Sequence, residues 1–108
     1  MRAPAHRQVD SVFGALADPT RRRVVETLAR GGTVTASGLA EQLPITRQAI
    51  AKHLALLADA GLVVAEPGER RRVRYRLESA PMKVAQQFLA ALARDWDGPL
   101  AALQRQLR

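Results

Sequence analysis

The side chains best suited to chemistry fall on one short helix. Thr46 is predicted to cap it, because its hydroxyl can accept a bond from an otherwise unpaired backbone amide. Arg47, Gln48, Ala51, Lys52 and Ala55 then share one face, and His53 sits at that face's edge. Such a face offers charge to phosphates, a planar amide to base edges and no bulk to block approach, which suits a DNA major groove. It would equally serve as the solvated side of a core helix. A second basic group follows at Arg70, Arg71, Arg72, Arg74 and Arg76, five arginines in seven residues. Phosphate contact is one use for it; shielding an edge strand from unwanted pairing is another. Arg21, Arg22 and Arg23 form a third group, in the first turn of a helix opened by Asp18-Pro19. Cations there oppose the helix macrodipole, so either an external anion or plain solvent must offset them. The candidate DNA contacts are therefore Thr46, Arg47, Gln48, Lys52, His53, Arg70, Arg71, Arg72, Arg74, Arg21 and Arg22.

The same inventory excludes much. There is no cysteine, hence no disulfide and no thiolate chemistry. His6 and His53 are the only histidines and lie far apart in sequence, which makes no zinc site. Asp95 and Asp97 are two apart, so on one helix they point in different directions. No phosphate-cradling glycine loop is present, and an enzyme is not expected. The net charge is +7, from 17 basic and 10 acidic residues, which favours a polyanionic partner. No apolar run is long enough to cross a membrane, and MRAPAHRQVD lacks the apolar core of a signal peptide. A cytoplasmic protein is expected.

The elements that must position these residues can be traced along the 108-residue chain, which is expected to form one domain over 1–108. Residues 1–8 suggest a loose basic arm. Val9, Val12, Phe13 and Leu16 follow helical spacing. Val24, Val25 and Leu28 form the apolar side of the next helix, which Gly31-Gly32 stops. Thr33-Val34 suits a very short strand, and Thr35 a helix cap. Leu39, Ala40 and Leu43 are the apolar side of the helix that precedes the basic one. Pro44 interrupts it, having no amide hydrogen to give. Ile50, Leu54 and Leu57 face inward from the basic helix, and Gly61 ends it. Residues 62–65 and 72–77 predict two strands around a turn at Pro67-Gly68-Glu69, with Val73, Tyr75 and Leu77 facing the core. A last helix starts at Ser79-Ala80-Pro81, with Val84, Phe88, Leu92 and Trp96 in one stripe, and Gly98-Pro99 should kink or break it. Leu100, Leu103 and Leu107 continue the apolar face.

The expected fold is mainly α with a small β-hairpin, a winged helix-turn-helix. Its apolar surface exceeds what so small a core can cover, which suggests a two-fold homodimer built by the first and last helices. The interface candidates are Val12, Phe13, Leu16, Phe88, Leu92, Trp96, Leu100 and Leu103, with 79–108 as the dimerisation helix.

At this point the chain resembles the ArsR family of bacterial winged-helix repressors. FGALADPTRRRVVETLARG is similar to that family's opening helices. LAEQLPITRQAIAKHLALLADAGLVVAEPGERRRVRYRL is similar to its helix-turn-helix and wing. The likeness covers roughly residues 9–78, and the tail with Trp96, Asp97 and Leu100 resembles the dimerisation helix of a metal-free branch. The resemblance implies a homodimer, recognition helices in adjacent major grooves of double-stranded DNA, and repression by blocking transcription. The metal sensors of the family carry cysteines where this chain has Leu39–Leu43. They carry Asp/His sites where it has Lys83–Trp96, a stretch with no histidine and the single carboxylate Asp95. No metal and no cofactor are therefore expected, and the inducer is an unknown small molecule or protein. Two rivals use the same residues: a non-specific winged helix that coats nucleoid DNA or RNA, and a protein-interaction module.

Overall fold

The computed structural model describes residues 4–107, with side chains from Arg7 onward except those of Asp97 and Leu100. Helices α1 (Pro4–Leu16) and α2 (Pro19–Gly31) open the chain. Helix α1 includes residues 4–8, where a loose arm is expected from the sequence; residues 1–3 of that arm lie outside the described residues. Asp18 accepts the Arg21 N–H at 2.9 Å and Pro19 occupies the first turn, so α2 begins as its sequence predicts. Strand β1 (Val34–Thr35) leads into α3 (Ala36–Gln42), capped by Thr35, whose hydroxyl accepts from the Gly38 N–H at 3.0 Å. Leu43 turns extended ahead of Pro44 and ends that helix.

Thr46 caps α4 (Arg47–Asp59) by accepting the Ala49 N–H at 3.1 Å. The helix closes with two reversed bonds, Leu62 N–H to Leu57 O and Gly61 N–H to Ala58 O, 3.0 and 2.9 Å. That closure needs a left-handed residue, and Gly61 supplies it at φ 77°. Strands β2 (Val63–Pro67) and β3 (Val73–Leu77) form the hairpin. The hairpin is wider than the sequence suggests: β1 adds to β3, giving an antiparallel sheet ordered β1-β3-β2, with Val34 opposite Tyr75.

The core sits where α2, α3, α4 and the sheet converge. Leu39, Ile50, Leu54, Leu57 and Leu62 are each at most 1% exposed. Fully burying one such side chain stabilises by roughly 1.5–3 kcal/mol, so these five fix the helix-turn-helix. Tyr75 and Leu77 pack on this core as expected. Val73 does not; it is 44% exposed, because its end of the hairpin extends past the core.

Helix α5 (Ala80–Gln106) is one continuous helix of 27 residues, about 40 Å at 1.5 Å per residue. The expected break at Gly98-Pro99 is absent. Pro99 denies a partner to the Asp95 carbonyl, and both residues are exposed, where water can take that bond. No side-chain bond from Ser79 caps this helix; instead the Glu78 carboxylate accepts the Ala80 N–H at 3.3 Å. Helix α1 lies along α5, with Phe13 edge-on to Phe88 at 6.0 Å. The molecule measures 65 × 33 × 20 Å and has a radius of gyration of 17.9 Å. A compact chain of 100 residues would have about 13 Å, so α5 carries the fold well beyond its core.

Candidate nucleic-acid interface

Helix α4 divides cleanly. Ile50, Leu54 and Leu57 point into the core, which turns Thr46, Arg47, Gln48, Ala51 and Lys52 outward, all exposed. A groove runs beside this face. One wall is the first turn of α3, with Thr35, Ser37 and Gly38, together with Glu41. Arg47 and Ala51 contribute from α4, and Arg70, Arg71 and Arg72 close the far side. The fold thus brings the two basic groups of the sequence into one groove. The first turn of α3 takes part although nothing local in Thr35-Ala-Ser-Gly marks it as groove-lining.

The hairpin tip is held by its backbone. Gly68 N–H donates to Arg72 O at 2.6 Å, and Arg72 N–H to Glu69 O at 3.1 Å. A Cβ on Gly68 would lie 2.5 Å from that Arg72 oxygen, so only glycine fits there. Arg70 and Arg71 both adopt left-handed conformations, φ 57° and 62°, which non-glycine residues seldom take. Both stay exposed, as do Arg72 and Arg74, the latter opposite Thr35 on one side and Glu66 on the other. Arg76 is different. Its guanidinium donates to Glu66, and to Glu78 at 3.4 Å, so this arginine is engaged within the sheet. These carboxylates hold the guanidinium more firmly protonated than usual.

Three expectations need correction. Arg21 and Arg22 already have partners inside the chain. Arg21 Nε donates to Ala15 O at 2.7 Å and its Nη2 to Gly14 O at 3.2 Å. Arg22 Nη1 donates to Leu16 O at 2.8 Å and to Ala17 O at 3.3 Å. The carbonyls left over at the end of α1 carry negative partial charge, and the two guanidiniums satisfy them. His53 turns away from the exposed face. Its Nδ1 is buried, with no hydrogen-bond partner among the described residues, and lies 4.0 Å from Asp18 Oδ2. This position is that of a packed side chain.

The third correction concerns the apolar stripes. Val12 is 1% exposed and closed to another chain, whereas Leu16 is half-buried and packs on the core. Phe88 is half-buried against Phe13, which itself remains 36% exposed. The open apolar face belongs to α5 and its C-cap Leu107: Leu89, Leu92, Trp96, Leu103 and Leu107 are 50–78% exposed. The Leu100 side chain lies outside the described residues. Among the described residues no cluster of three or more His, Cys, Asp or Glu forms a metal site, and no helix is long and apolar enough to span a membrane.

Residues 16–65 match the family model described as a helix-turn-helix domain. The HTH-type transcriptional regulator Rv2034 of Mycobacterium tuberculosis is 41% identical over 92 residues, 85% of this chain and 78% of that protein. The transcriptional repressor SdpR of Bacillus subtilis is 38% identical over 55 residues, 51% of this chain and 60% of its own length. Among solved structures, an ArsR-like transcriptional regulator from Rhodococcus sp. RHA1 superposes with a TM-score of 0.80, at 38% identity, over 95% of each chain.

Proposed function

This chain belongs to the ArsR-like family of helix-turn-helix transcriptional regulators, and from that premise we propose that it is a dimeric repressor reading a pseudo-palindromic operator in double-stranded DNA. The observation that carries this reading is the shared groove, which Arg47 of α4 and Arg70–Arg72 of the wing line together. Helix α4 enters the major groove with Arg47, Gln48 and Lys52 at base edges and phosphates, capped by Thr46. Arg70, Arg71, Arg72 and Arg74 hold the adjoining backbone, which adds affinity for any sequence. Binding, rather than catalysis, is the function, and it is exercised in the cytoplasm.

One subunit fills one groove, which rarely yields nanomolar specificity. Two copies joined through the open face of α5, with Phe13 at its margin, would set two reading helices about 34 Å apart. The unpartnered stripe supports this assembly, as does the extended shape of the single chain. The inducer is a small molecule or protein that shifts this dimer.

Footprinting on the DNA upstream of its own gene tests the reading. Protection of two related half-sites is expected. Uniform coating would replace it with the non-specific nucleic-acid reading, and absence of binding with a protein-interaction module.

A further inference from the structure

The outward face of α4 carries a shallow dent lined by Thr46, Arg47, Gln48 and Ala51. Its chemistry is unusual for a basic surface. Ala51 presents only a methyl group. Thr46 turns its hydroxyl oxygen to the Ala49 N–H at 3.1 Å and carries a methyl group beside it. Arg47 and Gln48 line it as well, each an aliphatic stem that ends in a polar head. The exposed face as a whole, Arg47, Gln48, Ala51, Lys52 and Ala55, contains no carboxylate to accept from a cytosine amine.

Among the groups that unmodified base pairs present in the major groove, the thymine C5-methyl is the one apolar projection. We propose that this dent seats the methyl of one thymine in each half-site, so that Ala51 and Thr46 are specificity-determining residues for an A·T pair. Gln48, which lines the same dent, would engage an adenine N6/N7 edge beside that methyl. This inference rests on the DNA-binding reading above and names the base class that it selects.

The probe is the duplex most enriched from a randomised pool by the wild-type protein. Each thymine in it is replaced singly by deoxyuridine, which removes only the methyl. One thymine per half-site is expected to lose about fourfold in affinity, the effect of withdrawing one methyl group from burial. Ala51→Gly, with its fold checked by thermal melting, should abolish that difference, so that thymine and uracil duplexes bind alike. A uniform deoxyuridine scan would overturn the proposal. So would a sensitive thymine whose effect survives Ala51→Gly. A pool that yields no enriched sequence would instead defeat the sequence-specific reading beneath it.

Discussion

The helix-turn-helix half and the α1/α5 half of this molecule are built to different degrees of completion. In the first, every large apolar residue that α3 and α4 turn inward meets a partner, and Leu39, Ile50, Leu54 and Leu57 are closed to water. In the second, α1 covers only one side of α5, and Trp96 stands 67% exposed. A helix of 27 residues is longer than its own domain can cover. The difference separates two kinds of apolar residue that look alike in sequence. One kind holds the fold, and the other stays open to solvent in the single chain.

Substitutions on either side of that divide should behave differently. Leu54→Ala is expected to have the largest effect, lowering stability by about 2–5 kcal/mol through lost transfer energy and the cavity left behind. Urea unfolding would measure it. Trp96→Ala should weaken self-association by roughly 2 kcal/mol, read by analytical ultracentrifugation, while the dilute single chain unfolds at an unchanged urea midpoint. If Trp96→Ala destabilises the dilute chain as much as Leu54→Ala does, the two halves are not distinct in the way described.

The arginines allow a finer comparison. Arg21→Ala should cost about 1 kcal/mol of stability, since two partly solvated bonds to α1 carbonyls are lost. It should leave the salt dependence of DNA binding as it was. Replacing Arg70, Arg71 and Arg72 together with alanine should do the reverse. Melting should barely change, and the logarithmic salt slope should fall by about 0.9 for each lost phosphate contact. A salt slope altered by Arg21→Ala would return that residue to the DNA-binding face.

The smallest expected effect is one of pH. The Arg21 N–H, first among several causes, holds the Asp18 carboxyl below its usual range; the Ala80 N–H and Arg76 do the same for Glu78. A carboxylate depressed in the folded state adds stability above its unfolded pKa, and that stability disappears as pH falls through the folded value. Thermal melting should therefore decline below about pH 4, the ordinary carboxylate range. Asp18→Asn should flatten part of that decline.

Much of this architecture was legible because it is written locally. Asp18, Thr35 and Thr46 each cap a helix through a bond to the residue three positions on. Gly61 closes α4 within a few residues. Caps and stops of this kind need no knowledge of the rest of the chain. What stayed hidden depends on acceptors and neighbours that carry no residue type. Arg21 reaches back six and seven residues to main-chain oxygens, which every residue possesses, so a basic turn there looks like an anion site. Likewise, the spacing of Val12 and Trp96 marks both as apolar-facing but does not say which face meets its own domain. Strand β1 owes its identity to β3, some forty residues later. The groove itself combines a helix start, a helix face and a hairpin tip from three separate stretches.

The guanidinium bonds between α1 and α2 have a consequence for distance. Only Ala17 and Asp18 separate the two helices, and Arg21 and Arg22 span that elbow with three bonds to the end of α1 and one to Ala17. The angle of the elbow is thus set by side chains rather than left to the linker. It fixes the direction in which the α1/α5 layer leaves the reading domain. In a two-fold pair, that direction sets how far apart the two copies of α4 stand. On the dimeric reading proposed above, the number of base pairs between half-sites would depend on Arg21 and Arg22 as well as on α5, although neither arginine need touch DNA.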